Sequence, residues 1–184
     1  MQNFPEITTP RLILNQPVES DRENLLLYLN ETPEFAENTL TMPFPYTDES
    51  ADFWFKLAKE GFENRDGFIF AIREKSTKKL IGGIGLHLTP QHKKAEVGYW
   101  LAKPFWNKGY VTEALAAVLK FGFEEVNLNK IYATYYAHNP ASGKVMEKCG
   151  MKNEALLKDE YLKNGKFLDV NRFCILHSDF FDLQ

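Results

Sequence analysis

The chain has 184 residues, of which 44% are hydrophobic, and this length can bury a full core. Its net charge of −3 comes from acidic and basic residues that are mixed along the chain, which argues against direct nucleic-acid binding. No window approaches the roughly 18 apolar residues of a membrane span. We therefore expect a single domain over residues 1–184 and no membrane partner.

The first half of the chain is predicted to alternate strands and helices. Apolar residues recur at helical spacing in two segments, and three other segments have strand character. Thr47 is a suitable N-cap for the second helix, and Pro43-Phe44-Pro45-Tyr46 interrupts the pattern before it. In chain order we predict a strand at residues 11–16, a helix at 19–30, a helix at 48–63 and strands at 68–73 and 79–88.

The second half of the chain has clearer helix and hairpin boundaries. Asn139 can cap a helix that begins with Pro140 and stops at Gly150. Asn164-Gly165 is a strong signal for a hairpin between the last two strands. In chain order we predict a strand at residues 95–101, a helix at 110–125, a strand at 130–136, a helix at 140–149 and strands at 152–162 and 166–177.

The cysteines and the N-terminal residues bear on the cellular compartment. The two cysteines, Cys149 and Cys174, have neither a metal-binding nor a Cys-x-x-Cys spacing, so we expect free thiols, a reducing environment and no metal site. Residues 1–7 lack a basic stretch followed by an apolar run, and therefore do not have the pattern of a signal peptide. The sequence predicts a cytoplasmic protein.

The loop before the third predicted helix has the features of a pyrophosphate site. It runs Pro104-Phe105-Trp106-Asn107-Lys108-Gly109. A helix start presents backbone N–H groups without intrahelical partners, together with partial positive charge, and Gly109 lets the chain come close to an anion. A glycine also occurs at such turns for geometry alone. The Walker and dinucleotide glycine patterns are both missing, which argues against an NTP or NAD site.

A second motif follows about thirty residues later and makes a family resemblance specific. The pattern Trp106-x-x-Gly109-x-Val111, then Asn139-x-x-Ser142 and Glu147-Lys148-Cys149-Gly150-Met151, resembles the acetyl-CoA site of the GNAT-type N-acetyltransferases. The opening Thr9-Pro10-Arg11-Leu12-Ile13-Leu14 is similar to their RimJ/RimL-like branch of ribosomal-protein N-terminal acetyltransferases. Val111 departs from the family pattern of Gly or Ala, and we expect it to crowd the loop slightly without removing binding.

The resemblance implies an α/β (α+β) fold with a mixed, mostly antiparallel central sheet of about seven strands and helices on both faces. Its fourth and fifth strands would form a parallel pair that splays apart, and the pantetheine arm of acetyl-CoA would enter that gap. No metal is implied. By the same resemblance, the cofactor contacts are the backbone of Tyr99, Trp100 and Leu101, then Trp106, Asn107, Lys108 as an accessory cation, Gly109, Tyr110, Val111, Thr112, Asn139 and Ser142.

Asn139 and Ser142 each allow two interpretations. As ordinary helix residues, Asn139 is an N-cap and Ser142 lies in the first turn. By the resemblance, Asn139 hydrogen-bonds a pantetheine amide, and Ser142 is catalytic because it protonates or stabilises the departing thiolate. The two roles of Asn139 are compatible.

The reaction also requires a base and donors for an oxyanion. An amine attacks a thioester only as the neutral base, and backbone N–H groups of the fourth strand are the expected oxyanion donors. Glu96 is the first candidate base, since it alternates with Gly98 and Trp100 on one strand face, and Glu160 is the second. Either carboxylate is explained as well by an ordinary surface position. We expect the Phe44-Pro45-Tyr46 loop to form part of the acceptor wall.

These patterns together predict an acetyl-CoA-dependent N-acetyltransferase that transfers the acetyl group directly to a primary amine. The first candidate acceptor is the N-terminal α-amine of a ribosomal or other protein, because its pKa of ~7.7–8.0 lies far below the ~10.4 of lysine. The alternatives are a small-amine enzyme, with Glu31, Glu34 and Glu37 as a carboxylate cluster for a polyamine or an aminoglycoside-like amine, and a non-catalytic acyl-CoA sensor. Phe180 and Phe181 are candidates for an apolar contact in a homodimer.

Overall fold

An eight-stranded sheet forms the centre of the protein, in a computed structural model that describes residues 3–182. Met1 and Gln2, which belong to the segment without a signal-peptide pattern, lie outside the described residues. Within residues 3–182, no helix combines the length and the apolar character that crossing a membrane would require.

The strands are arranged in the order β1-β2-β3-β4-β5-β6-β8-β7, and every neighbouring pair is antiparallel except β5 and β6. The strands are β1 (Ile7–Thr8), β2 (Leu12–Asn15), β3 (Gly67–Glu74), β4 (Leu80–Thr89), β5 (Lys94–Leu101), β6 (Lys130–Tyr136), β7 (Lys152–Lys163) and β8 (Lys166–Leu176). The helices are α1 (Arg22–Leu29), α2 (Glu34–Glu37), α3 (Asp48–Asn64), α4 (Tyr110–Glu124), α5 (Pro140–Lys148) and α6 (His177–Asp182).

The predicted fold class is confirmed, with one more strand than the seven expected. The additional strand, β1, has two residues, which is too short to show a period-two pattern. The Asn164-Gly165 turn adopts positive φ values of 50° and 74°, which suit a tight hairpin between β7 and β8. Thr47 caps α3 as predicted, because its side chain accepts a hydrogen bond from the N–H of Ser50.

The two sheet faces bury separate apolar cores. On one face, α4 and α5 pack against strand residues such as Val97 and Ile131. On the other face, α1 and α3 cover a second core that includes Leu25 and Trp100. Each fully buried aliphatic or aromatic side chain contributes about 1.5–3 kcal/mol, so both helix layers hold the sheet firmly.

Strands β5 and β6 separate soon after they begin. Their parallel pairing is limited to Lys94–Glu96 on β5 and Lys130–Tyr132 on β6. Beyond these residues β5 remains paired with β4 as far as Leu101, and β6 remains paired with β8 as far as Tyr136. The two strands therefore enclose a gap that widens toward their carboxyl ends, as the family resemblance implied.

Candidate active site

A cavity of about 890 Å³ occupies the gap between β5 and β6. Its volume lies within the range of about 300–1,000 Å³ that is usual for small-molecule sites. Residues from both sheet faces line it, so the cavity passes through the sheet plane. We call its two parts the donor side, on the face covered by α4 and α5, and the acceptor side, on the face covered by α1 to α3.

The exposed edge of β5 offers backbone groups to the gap. The N–H of Ala102 donates to the carbonyl of Ile81 on the β4 side at 2.8 Å. Because backbone groups alternate along a strand, the N–H groups of Tyr99 and Leu101 point the other way, into the gap. The carbonyl of Leu101 already accepts a hydrogen bond from Trp106 Nε1 at 2.6 Å. Free donors therefore remain on Tyr99 and Leu101.

Trp100 and Trp106 serve the site through their side chains. The backbone of Trp100 pairs with β4, opposite Gly83, and its indole ring faces the acceptor side. Phe35 packs edge-on against both indoles, with ring centroids 6.1 Å away in each case. The structure thus places Trp100 differently from the predicted backbone contact, because alternate residues of β5 turn their N–H groups toward β4.

The start of α4 has the geometry that the sequence predicted for an anion cradle. Asn107 and Gly109 adopt positive φ values of 59° and 77°, which turn the loop into the helix. The first intrahelical bond joins the N–H of Glu113 to the carbonyl of Gly109 at 3.0 Å. The preceding N–H groups, from Tyr110 to Thr112, have no intrahelical acceptor and border the cavity, so they suit a pyrophosphate.

Hydrogen bonds from the N-terminal segment hold this loop in place, and we call those between Arg11 and Glu113 the tie. Glu113 accepts hydrogen bonds from Thr9 Oγ1 at 2.6 Å and from the N–H and Nε of Arg11 at 2.8 and 2.6 Å. Arg11 also donates to the carbonyl of Lys108 at 2.8 Å. Burial favours the neutral form of Glu113, but these hydrogen bonds outweigh it and lower the pKa of the carboxyl.

Two predicted cofactor residues differ in how they are placed. Lys108 is exposed, lies outside the cavity lining and donates from Nζ to the carbonyl of Pro104 at 2.9 Å. Val111 lines the cavity and packs against the first core. The cationic side chains that do line the donor side are Lys144 and Lys148 on α5, which sequence reasoning did not select.

Asn139 and Ser142 lie together at the start of α5. Asn139 occupies the N-cap position, but its side chain makes no capping hydrogen bond, so its amide remains available to the cavity that it lines. Ser142 Oγ lies 2.9 Å from Tyr99 Oη, and Tyr99 also donates to the carbonyl of Ser142 at 3.1 Å. Burial raises the pKa of Tyr99 well above its usual value, so its hydroxyl stays protonated.

The two candidate bases have different surroundings. Glu96 lines the acceptor side and accepts a hydrogen bond from Thr134 Oγ1 at 3.0 Å. Burial raises the pKa of Tyr161, which also lines the cavity, and the charge of Glu96 adds to that effect. Glu160 is exposed and lies outside the lining, whereas its neighbour Tyr161 on β7 lines the cavity.

The acceptor wall is built from residues 34–35 and 38–41 and not from the Phe44-Pro45-Tyr46 loop. Tyr46 is buried in the second core and donates from Oη to the carbonyl of Ser50 at 3.1 Å. Of the three glutamates considered for a polyamine cluster, Glu34 alone lines the cavity, and it pairs with Lys103 at 3.3 Å. Glu31 and Glu37 are exposed.

Comparison with known protein families decides the class of the enzyme. Residues 11–152 match the acetyltransferase (GNAT) domain family. The chain belongs to this GNAT family. It is therefore an acetyl-CoA-dependent N-acetyltransferase, and the predicted enzyme class and acetyl donor are confirmed.

Individual GNAT relatives differ in their acceptors. The chain is 30% identical to the spermidine N(1)-acetyltransferase of Vibrio cholerae over 139 residues, covering 75% of this chain and 78% of that protein. It is 25% identical to the ribosomal protein uS5-alanine N-acetyltransferase of Escherichia coli over 178 residues, covering 91% and 89%. A solved GNAT acetyltransferase of Bacillus anthracis superposes with a TM-score of 0.84 at 25% identity, covering 95% and 99%.

The donor side of this GNAT enzyme fits acetyl-CoA by its own geometry. The N–H groups at the start of α4 suit the pyrophosphate, and those of Tyr99 and Leu101 can hold an extended amide arm. Bound acetyl-CoA supplies a thioester carbon that is open to attack by an amine. Within the described residues, no group of three or more His, Cys, Asp or Glu side chains could hold a metal ion.

Proposed function

We propose that this enzyme acetylates the N-terminal α-amine of a peptide or protein, such as a ribosomal protein, by direct transfer. Glu96 carries the proposal, because it is a carboxylate of the acceptor side that pairs with no cation within residues 3–182. One carboxylate matches an acceptor with one ammonium group, whereas a polyamine carries several. Glu34, the other lining carboxylate, is paired with Lys103.

The catalytic roles follow from the placement of each group. Glu96 accepts the proton of the incoming ammonium, either directly or through one water. The N–H groups on the gap edge of β5 stabilise the oxyanion. Ser142 donates a proton to the departing thiolate and is held by Tyr99 for that task. Glu160 stays a second candidate base from the sequence, although its exposed position offers it no contact with the cavity.

A polyamine is the second candidate acceptor. The 30% identity to a spermidine N(1)-acetyltransferase supports it. Release of CoA thiol from acetyl-CoA should be measured with peptides that have free N-termini, with N-terminally blocked peptides as the matched control, and with spermidine and aminoglycosides. Turnover of free N-termini is expected. Turnover of spermidine alone would contradict the proposal, and acetyl-CoA binding without any turnover would favour the sensor alternative.

Two further expectations concern the organisation of the protein. We propose that residues 1–184 act as one cytoplasmic acetyltransferase domain and that the C-terminal aromatic residues contribute to a homodimer. Phe180 packs on Phe123 of its own chain, with ring centroids 5.0 Å apart, while Phe181 is 41% exposed and can contact another copy. Light scattering on a chain truncated before Asp179 should give the monomer mass, and an unchanged mass would exclude this dimer contact.

A further inference from the structure

The hydroxyl group of Tyr136 is buried on the acceptor side without a hydrogen-bond partner. Tyr136 ends β6, is 4% exposed and lines the cavity. Within the part of the chain that the structure describes, its Oη is buried and makes no hydrogen bond. A buried hydroxyl without a partner costs about 1–3 kcal/mol, so such a group in a substrate cavity points to a partner that arrives with the substrate.

The ring of Tyr136 packs against two aromatic side chains and one ammonium group. His138 stacks on it with ring centroids 5.4 Å apart, and Tyr161 meets it edge-on at 6.4 Å. The ammonium of Lys163 lies 5.6 Å from the ring centroid. The same ammonium donates to the backbone carbonyls of Ala36 and Thr39, and thereby fastens the acceptor wall beside the tyrosine.

The position of Tyr136 relative to Glu96 sets the shape of the ligand. Thr134, which donates to Glu96, lies two residues before Tyr136 on the same face of β6. Two residues of strand span about 6.6–6.8 Å. An amine bound at Glu96 therefore places the next backbone group of a peptide between the carboxylate and the tyrosine ring.

We propose that Tyr136 Oη donates a hydrogen bond to the first backbone carbonyl of an acceptor peptide whose α-amine lies at Glu96. This inference rests on the proposed function and adds a reason for its specificity. A carbonyl oxygen accepts a hydrogen bond from this hydroxyl, whereas the ammonium groups of a protonated polyamine can only donate to its oxygen. The O–H of Tyr136 therefore finds an acceptor in a peptide and none in a polyamine.

The test compares wild type with Tyr136→Phe on a matched pair of acceptors. One acceptor is a short peptide with N-terminal alanine, and the other is its uncharged alkene isostere, in which CH=CH replaces the first CO–NH unit. The variant should lower kcat/KM for the peptide about 10–100-fold and for the alkene isostere by less than about threefold. Tyr28→Phe is the control, because Tyr28 lies outside this cavity, and it should leave both values unchanged.

Each outcome separates this inference from the proposed function. Equal losses on both acceptors, or no loss on the peptide, would overturn the role of Tyr136 and leave peptide acetylation intact. Wild-type turnover of spermidine without turnover of the peptide would instead contradict the proposed function. Thermal unfolding gives a readout without substrate. Tyr136→Phe should unfold at the same or a higher temperature, and a clear decrease would mean that the hydroxyl is already satisfied in the free protein.

Discussion

The donor and acceptor sides of the cavity are built in different ways. The donor side consists mainly of backbone N–H groups, at the start of α4 and along the edge of β5, which two turns and a helix bring into position. The acceptor side consists of side chains from α2, β5, β6 and β7, including Glu96, Tyr136 and Tyr161. Backbone sites tolerate side-chain change, so such an architecture can keep one acetyl donor while its acceptor varies.

Charge divides the cavity in the same way. The lining carboxylates, Glu34 and Glu96, belong to the acceptor side, while Lys144, Lys148 and the start of α4 supply positive charge on the donor side. We therefore expect an anionic donor and a cationic acceptor to approach from opposite faces of the sheet. The four predictions below test this division.

The largest effect is expected from Ser142→Ala. Loss of the hydroxyl beside Tyr99 removes the proton donor for the departing thiolate, and general-acid groups contribute about 10²–10⁴-fold. We expect kcat to fall at least about 100-fold while the Kd for acetyl-CoA stays nearly constant. Steady-state kinetics and calorimetric titration check both values, with Ser76→Ala as the control. An unchanged kcat would remove Ser142 from the mechanism.

A smaller loss is expected from Glu96→Gln. This variant keeps the shape of the side chain and removes the proton acceptor, so kcat/KM for the peptide should fall about 10–100-fold at pH 7. The deficit should shrink above pH ~8, where an α-amine has already lost its proton. Glu160→Gln is the matched control and should stay near wild type. A larger loss in Glu160→Gln than in Glu96→Gln would mean that Glu160, and not Glu96, is the base.

Gly109→Ala should weaken acetyl-CoA binding and leave the acceptor side unchanged. A residue with a Cβ at the observed φ of 77° is strained by about 1–2 kcal/mol, which corresponds to roughly tenfold weaker acetyl-CoA binding if the loop carries the strain. Gly165→Ala is a matched control, since Gly165 has a φ of 74°, open space around it and no place in the cavity lining. Equal acetyl-CoA affinities in the two variants would contradict the cradle at Gly109.

The smallest effect is expected from Glu113, which contacts the loop through Arg11. Glu113→Gln weakens the tie to Arg11, and we expect about threefold weaker acetyl-CoA binding at pH 7. Because its pKa in the folded protein is lowered from about 4.5, Glu113 stabilises the fold above that pH, and the stabilisation is lost as the pH falls through the lowered pKa. The unfolding temperature of wild type should therefore fall more steeply with acid than that of the variant. Parallel curves would exclude this role.

Most of the fold follows from local sequence patterns, while the donor-side contacts were predicted from the family resemblance together with the helix start before α4. Strand β6 has the predicted bounds, and α4 and α5 each end one residue before the predicted position, because periodicity and turn residues act over short distances. The helix predicted at residues 19–30 begins with a 3₁₀ turn at Glu19–Asp21, a difference that spacing alone does not reveal.

The acceptor side was poorly predicted because distant residues build it. Lys163 reaches Ala36 across 127 positions, and nothing near either residue signals that contact. In the sequence, Tyr136 is one of several aromatic residues in a predicted strand. Only the structure shows that, within the described residues, its hydroxyl is buried without a hydrogen-bond partner. Glu160 is exposed and lies outside the cavity lining, which its charge-rich segment Lys158-Asp159-Glu160 did not reveal.

The tie between Arg11 and Glu113 also has a consequence for biosynthesis. Its two residues are separated by 102 positions, so a ribosome that adds about 5–20 residues per second makes the second roughly 5–20 s after the first. Until then Arg11 has no carboxylate partner, and the loop before α4 lacks the hydrogen bonds that hold it in place. The tie between Arg11 and Glu113 is therefore a contact that forms only after residue 113 has been added.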